Sequence, residues 1–285
     1  HDFYEWAIKF EASNAQLVEK TLTLNQQEYS YLESPRQTGQ ESVIMLHGFG
    51  ASKENWLRFS VPLSEQYHLV ALDLMGHGDN KRDLEQTYSI ENQVKFVHDV
   101  VTRLGIQKLH LVGNSMGGAI SSLYAATYPQ DVQSVVLISP AGIHDIPSKM
   151  DELLEAGSNP LIANSVDEFQ DLLDFVMEDS PFIPAAITKV EAEKAASRIA
   201  INQKIFKDLK SDLEKGLEHK LAVIKAPVLI IWGDHDRAIN VKNIDKYADL
   251  IPNAQKLVLK DIGHLAMIEV PKVSAHAALA FMPKG

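Results

Sequence analysis

The chain has 285 residues, 45% hydrophobic and 23% charged, the mix of a folded globular protein rather than a disordered one. One or two domains are expected at this length. With 38 acidic against 27 basic side chains the formal net charge is −11, a surface that repels phosphate backbones, so nucleic acid is not an expected partner. The absence of cysteine excludes disulfides, thiolate nucleophiles and zinc–thiolate sites, and no apolar run approaches the ~20 residues of a membrane span.

The first residue is His1 rather than Met, so a leader or anchor is expected to have preceded it, with a cell-envelope or secreted location in view. The stretch to Glu41 holds two extended pieces, Lys20–Leu24 and Glu28–Leu32, expected as an antiparallel edge. Val43–Leu46 and His68–Asp73 are short, near-continuous apolar runs of the kind covered on both faces in a parallel sheet. Ser89–Leu104 is the clearest helix: Ile90, Val94, Val97, Val101 and Leu104 step by three or four, Ser89 can cap the start and Gly105 can end it. Strand Leu109–Val112, helix Ala119–Tyr128 and strand Val135–Ile138 follow. Strands Val228–Trp232 and Lys256–Leu259, then a helix over Pro271–Met282, complete the alternation. This alternation predicts a doubly wound, mostly parallel α/β sheet.

One interval breaks the rhythm. Between the strands ending at Ile138 and beginning at Val228 lies far more chain than one crossover helix needs. Within it Ser165 caps a run with Val166, Phe169, Leu172, Leu173 and Val176 on one face, and a longer helical stretch is predicted from Pro184 to about Lys210. We expect a core of residues 1–140 and 226–285 with a helical cap inserted over 141–225.

Gly113-Asn114-Ser115-Met116-Gly117 matches G-x-S-x-G, occurs once, and lies between a predicted strand and a predicted helix. That context is what a nucleophile elbow requires. A serine hydroxyl is a weak nucleophile and needs a base, an acid to orient the base, and donors for the developing oxyanion. His47-Gly48-Phe49-Gly50 follows directly on a strand, so the N–H groups of Phe49 and Met116 are the expected donors. Of eleven histidines, His264 in Asp261-Ile262-Gly263-His264 stands after the last strand, at the carboxyl edge where ligands bind in open α/β sheets. His77, in Gly76-His77-Gly78, is its best rival and is expected to stabilise its loop. Trp232-Gly233-Asp234-His235-Asp236-Arg237 offers two carboxylates at a strand end. Asp234, His235 and Asp236 could instead ligate a metal, but no zinc spacing such as H-E-x-x-H occurs, and no metal or cofactor is expected.

These residues together resemble the α/β-hydrolase superfamily, in the chain order nucleophile, acid, histidine, from about Tyr29 onward. More narrowly, Tyr88–Lys95 and Ser139-Pro140-Ala141-Gly142 make the sequence similar to monoacylglycerol lipases and capped bacterial lipases. The resemblance implies Ser115 as nucleophile, His264 as base and then acid, and Asp236 rather than Asp234 as the orienting acid. It implies a lipid or other small ester substrate, cleaved through an acyl-enzyme. The Asp79-Asn80 pair departs from the family's usual small residue after Gly76-His77-Gly78, which bears on the loop rather than on the chemistry. The same elbow occurs in hydrolases that cleave carbon–carbon bonds of ring-fission products, where Arg198 would echo a carboxylate-binding arginine, and that is the alternative activity. A non-catalytic binding protein on this fold is a third reading, disfavoured because all three triad members are present.

An apolar trench beside the nucleophile is expected from the cap, with Phe169, Leu173, Phe175, Met177, Phe182 and Ile183 as the lining candidates. Phe175 and Met177 fall outside the main apolar face of their helix, and Pro181 and Pro184 bracket an apolar linker, a pattern suited to a lid that meets a membrane or lipid surface.

Overall fold

The computed structural model describes residues 2–213 and 216–283. It opens with helix α1 (Asp2–Asn14), which the sequence reading did not anticipate. One side of it carries Phe3, Trp6 and Phe10, about half exposed and stacked at ring distances of 6.1 and 5.5 Å. Apolar residues on both sides of the helix blur the 3.6-residue periodicity by which an amphipathic helix is recognised.

Strands β1 (Val18–Leu24) and β2 (Gln27–Glu33) form the expected antiparallel hairpin. Asn25 and Gln26 close it with φ of +50° and +66°, the pair of left-handed residues that matches the twist of a two-residue hairpin. Strand β3 (Ser42–Leu46) is followed by a 3-10 turn (Lys53–Trp56), the short helix α2 (Leu57–Ser60) and strand β4 (His68–Leu72). Helix α3 (Ile90–Arg103) starts where Ser89 accepts a hydrogen bond from the Asn92 N–H, as its capping position predicts. Strand β5 (Leu109–Asn114), helix α4 (Met116–Thr127) and strand β6 (Val132–Ile138) come next.

The long interval holds helices α5 (Lys149–Glu155), α6 (Val166–Val176), α7 (Ala185–Ser197), α8 (Ile199–Leu213) and α9 (Glu218–Leu221). The helical stretch expected from Pro184 to Lys210 is two helices. Arg198 leaves helical geometry (φ −108°, ψ 7°) at their junction, and neither Gly nor Pro marks the break. Strand β7 (Val228–Gly233), helix α10 (Asn243–Leu250), strand β8 (Ala254–Leu259) and helices α11 (Ala266–Glu269) and α12 (Pro271–Phe281) complete the chain.

The eight strands form one sheet in the order β1-β2-β4-β3-β5-β6-β7-β8, antiparallel at β1–β2 and β2–β4 and parallel elsewhere. Period-two alternation divides its side chains between two cores. Ile44, Leu46, Val70, Leu111 and Leu137 pack with α3 and α4 on one face; Val43, Met45, Leu69, Val112 and Val136 pack with Trp56, Phe59 and α12 on the other. Strand β8 differs from the expectation of a strand buried on both faces. It is the edge, paired to β7 alone, and Val258 is half exposed. Among the described residues no helix is long and apolar enough to cross a membrane.

Candidate active site

Ser115 stands between the end of β5 and the start of α4 with φ +53° and ψ −117°, a conformation a side-chain-bearing residue adopts only under constraint. Its N–H donates to Ile138 O (3.1 Å), and its own carbonyl accepts from the N–H groups of Gly118, Ala119 and Ala141. The two motif glycines are demanded by close approach. A Cβ on Gly113 would lie 2.2 Å from Gly117 O, and one on Gly117 would lie 2.0 Å from Leu46 O. Strand and helix meet here at backbone contact, and the turn between them lifts Ser115 out of the sheet.

His264 follows β8 in the loop 260–265. Its Nδ1 lies 2.7 Å from Asp236 Oδ2, and both side chains are almost wholly buried. Four donors converge on Asp236. Oδ2 accepts from His264 and from Trp232 Nε1 (2.9 Å), while Oδ1 accepts from the N–H groups of Ala238 (2.8 Å) and Ile239 (3.0 Å). Asp234 instead turns to its own loop, accepting from Ile262 N–H at 3.4 Å. The histidine loop is tied to its surroundings by backbone. His264 N–H donates to Val176 O at the end of α6, and the Glu269 carboxylate accepts from the N–H groups of Gly263, Glu178 and Asp179. Asn114, beside the nucleophile, donates through Nδ2 to both Ile138 O and His264 O.

The loop after β3 brings Gly48, Phe49 and Gly50 to the same place. His47 donates from Nδ1 to Gly48 O (2.7 Å) and accepts Leu74 N–H at Nε2 (3.0 Å), so the neutral ring pins this loop to the end of β4. Burial pushes the pKa of His47 down to about 4, its proton to Gly48 opposing and the charges of Lys53 and Arg198 reinforcing the shift. His77 donates from Nδ1 to Met75 O (3.0 Å) and packs against His47 and Phe49. Burial, with His47 beside it, takes its pKa to about 3. It serves its loop, as expected, and is absent from the walls of the cavity described below. The Asp79-Asn80 pair has a structural task here. Asp79 meets the buried Lys53 ammonium at 2.6 Å, and Asn80 bridges Asp73 O and the Ser30 N–H.

Ser115 and His264 open onto one cavity of about 520 Å³, walled also by Gly48, Phe49 and Asn114. Among the described residues, neither the Phe49 nor the Met116 N–H is consumed by a hydrogen bond within the chain. Five of the six lining candidates meet this cavity: Phe169, Leu173, Met177, Phe182 and Ile183. Met177 is 2% exposed, whereas Phe182 is 87% exposed at the rim. Phe175 is a correction. It projects from α6 onto the core cluster of the sheet and does not reach the cavity, because one face of α6 must seat the helix on the body beneath it. The walls missed in sequence include α1 (Phe3, Tyr4, Trp6, Ala7, Ile8 and Phe10), Leu161, and Arg198 and Asn202 at the start of α8. Recognising α1 as a helix would have exposed the first of these; the others carry no local signal.

Asp234, His235 and Asp261 bring possible ligand atoms within 4.8 Å of one another. His235 there faces Glu178 (3.3 Å) and Asp261 (4.0 Å), and Glu178 also pairs with Arg237. Asp236 is outside the cluster, both of its oxygens being occupied.

Comparison with known proteins agrees with this fold. The alpha/beta hydrolase fold family matches residues 41–271. Lipase 3 of Moraxella sp. (strain TA144) is 34% identical over 278 residues, spanning 96% of this chain and 87% of the relative. Human monoacylglycerol lipase ABHD6 is 32% identical over 252 residues, 85% of this chain and 75% of that protein. A solved bacterial membrane phospholipase A, described as a virulence factor, superposes with a TM-score of 0.94 at 37% identity, covering 98% of this chain and 90% of that one.

Proposed function

This chain belongs to the α/β-hydrolase fold family as an ester-hydrolysing member, and from that premise we propose that it cleaves monoacylglycerols and other medium- to long-chain acyl esters through an acyl-enzyme on Ser115. The observation that carries the reading is Ser115, held at φ +53° and opening on the cavity that His264 shares, with His264 Nδ1 2.7 Å from Asp236. Asp236 orients the imidazole so that Nε2 takes the serine proton as Ser115 Oγ attacks the ester carbonyl carbon. The carbonyl π electrons move to oxygen, and the N–H groups of Phe49 and Met116 receive that oxyanion. Collapse breaks the C–O bond, the alcohol leaves with the proton from His264, and a water repeats the sequence to release the acid and restore Ser115.

The apolar walls support the chain length. Each buried methylene contributes about 0.8 kcal/mol, so a trench that holds several carbons favours medium or long chains over acetate. Residues 141–225 act as a cap on a core of 1–140 and 226–285, and the exposed Phe182 at the rim suits contact with a lipid surface.

The test is a panel of p-nitrophenyl esters from acetate to palmitate, monoacylglycerols and a ring-fission dienoate, with Ser115→Ala as the blank. We expect kcat/KM to rise from acetate to medium chains, little turnover of the dienoate, and a loss of about 10⁴-fold or more in kcat for Ser115→Ala or His264→Ala. A monotonic fall from acetate onward removes the lipase reading. Faster turnover of the dienoate than of any ester selects carbon–carbon hydrolysis.

A further inference from the structure

Residues 176–179, the stretch of chain that leaves α6, run between the two loops that carry Asp236 and His264. On one side Arg237, next to Asp236, donates from Nη1 to Met177 O (3.3 Å) and pairs through Nη2 with the Glu178 carboxylate. On the other side Val176 O accepts the His264 N–H at 2.8 Å. A Cβ on Gly263 would lie 2.9 Å from both Glu178 N and Met177 Cα, so this strap and the base loop meet at backbone contact. Met177, in the middle of the strap, is part of the cavity wall.

One side chain closes the contact. Glu269, the last residue of α11, folds back so that Oε1 accepts the Gly263 N–H (3.0 Å) while Oε2 accepts the N–H groups of Glu178 (2.9 Å) and Asp179 (3.0 Å). A carboxylate suits three converging donors, because both of its oxygens accept and neither carries a proton. An amide of the same size offers one acceptor and turns its own NH2 toward a donor. Gly263 is buried, so its N–H, on the residue just ahead of the base, relies on Glu269 rather than on water. Ser115 is fixed by its own elbow and Asp236 by four donors. The ring of His264 is set by Asp236, and its backbone by Val176 and Glu269 from the cap side and by Asn114 from the elbow side.

We propose that Glu269 is a positioning residue for the hydrolysis: by clamping the strap to the base loop it fixes the His264 imidazole relative to Ser115. The inference takes the reaction it serves from the ester-hydrolase reading above and adds to it a group that touches neither substrate nor the reacting atoms.

Two measurements on the full chain test it. The first is kcat and KM for p-nitrophenyl octanoate, per folded chain and well below the unfolding transition, in the wild type, Glu269→Gln and Glu269→Leu. The Gln variant keeps the size and one acceptor, and the Leu variant removes every acceptor. We expect kcat to fall about tenfold for Gln and about a hundredfold for Leu with KM within about twofold, since a base displaced by about an ångström loses rate without losing substrate. The second is the rate at which ethyl p-nitrophenyl hexylphosphonate modifies Ser115, read by mass. There the Oγ–P bond forms, p-nitrophenolate leaves with the electron pair of its P–O bond, and the serine proton passes to His264, so nucleophile and base are needed but no carboxylic ester is. It should slow in the same order. Unchanged kcat and phosphonylation in variants that unfold cooperatively overturn the proposal, Glu269 then serving stability alone. A raised KM with kcat kept also overturns it, by assigning Glu269 to the shape of the wall. Phosphonylation that slows from wild type to Gln to Leu, in a chain that cleaves no carboxylic ester, retains the positioning role and overturns the ester reading. If the Leu variant does not unfold cooperatively, the Gln variant decides alone.

Discussion

Acid should destabilise this fold through His47 and His77, two of its buried histidines, and His77 is the place to measure it. An unfolded histidine binds a proton near 6.5, while burial holds His77 at about 3 and His47 at about 4 in the native chain. Below pH 6.5 the unfolded state therefore binds protons that the native state refuses, and stability falls with pH until the folded pKa is reached. At pH 5, 1.5 units below the unfolded value, each ring costs about 2 kcal/mol at ~1.36 kcal/mol per unit, or about 4 kcal/mol together. That is a large share of the roughly 5–15 kcal/mol that holds a typical domain folded. His77→Asn removes one titration while leaving an amide N–H to meet Met75 O, the acceptor of His77 Nδ1. Urea unfolding at pH 7, 6 and 5 should show the wild type losing about 2 kcal/mol more than the variant between pH 7 and 5, whatever their difference at pH 7. Equal losses in the two proteins would refute the argument, because His77 would then titrate alike in both states. The consequence reaches the site, since His77 packs on Phe49 and His47 pins the loop that carries it.

Three further predictions concern the same framework. Gly117→Ala places a methyl 2.0 Å from Leu46 O, backbone against backbone, and should cost at least about 4 kcal/mol or abolish soluble expression; a melting temperature within a few degrees of wild type argues against the tight elbow. Lys53→Met leaves the fully buried Asp73 without the ammonium 2.9 Å away, and should cost about 3–5 kcal/mol in urea unfolding, a loss below about 1 kcal/mol being incompatible with a buried pair. Asp236→Asn removes the acceptor of His264 Nδ1 and should lower kcat by about 10⁴-fold, whereas Asp234→Asn, which disturbs only a 3.4 Å contact to Ile262, should lower it less than tenfold; the reverse order transfers the acid role to Asp234.

Much of the site could be read along the chain because its parts are local. The Ser115 elbow needs glycine at Gly113 and Gly117 for contacts made within a few residues of the serine and with the neighbouring strand, so its demand is written into five consecutive positions. The hairpin of β1 and β2, the Ser89 and Ser165 caps and the buried inner strands are likewise local patterns of period two, period 3.6 or capping chemistry. What failed had no such signature. Half-exposed Trp6 and Phe10 disguise α1, Arg198 breaks a helix without Gly or Pro, and the exposure of β8 follows from its having one neighbour instead of two.

The sequence by itself determined the alternation of strand and helix, the interruption by a helical insert, the single elbow and the loops at strand ends that bear His264 and the two candidate acids. The family resemblance had already preferred Asp236 of those two acids; the tertiary structure adds that Asp236 meets His264 while Asp234 turns to its own loop. It also decided which cap residues face the cavity, turning Phe175 to the core and Met177 inward, and brought α1 and Arg198 to the walls. The physical reason is common to these cases. Propensity, capping and close-packed glycine act over a few residues, whereas the direction of a side chain depends on which surfaces, distant in the chain, remain for it to bury against.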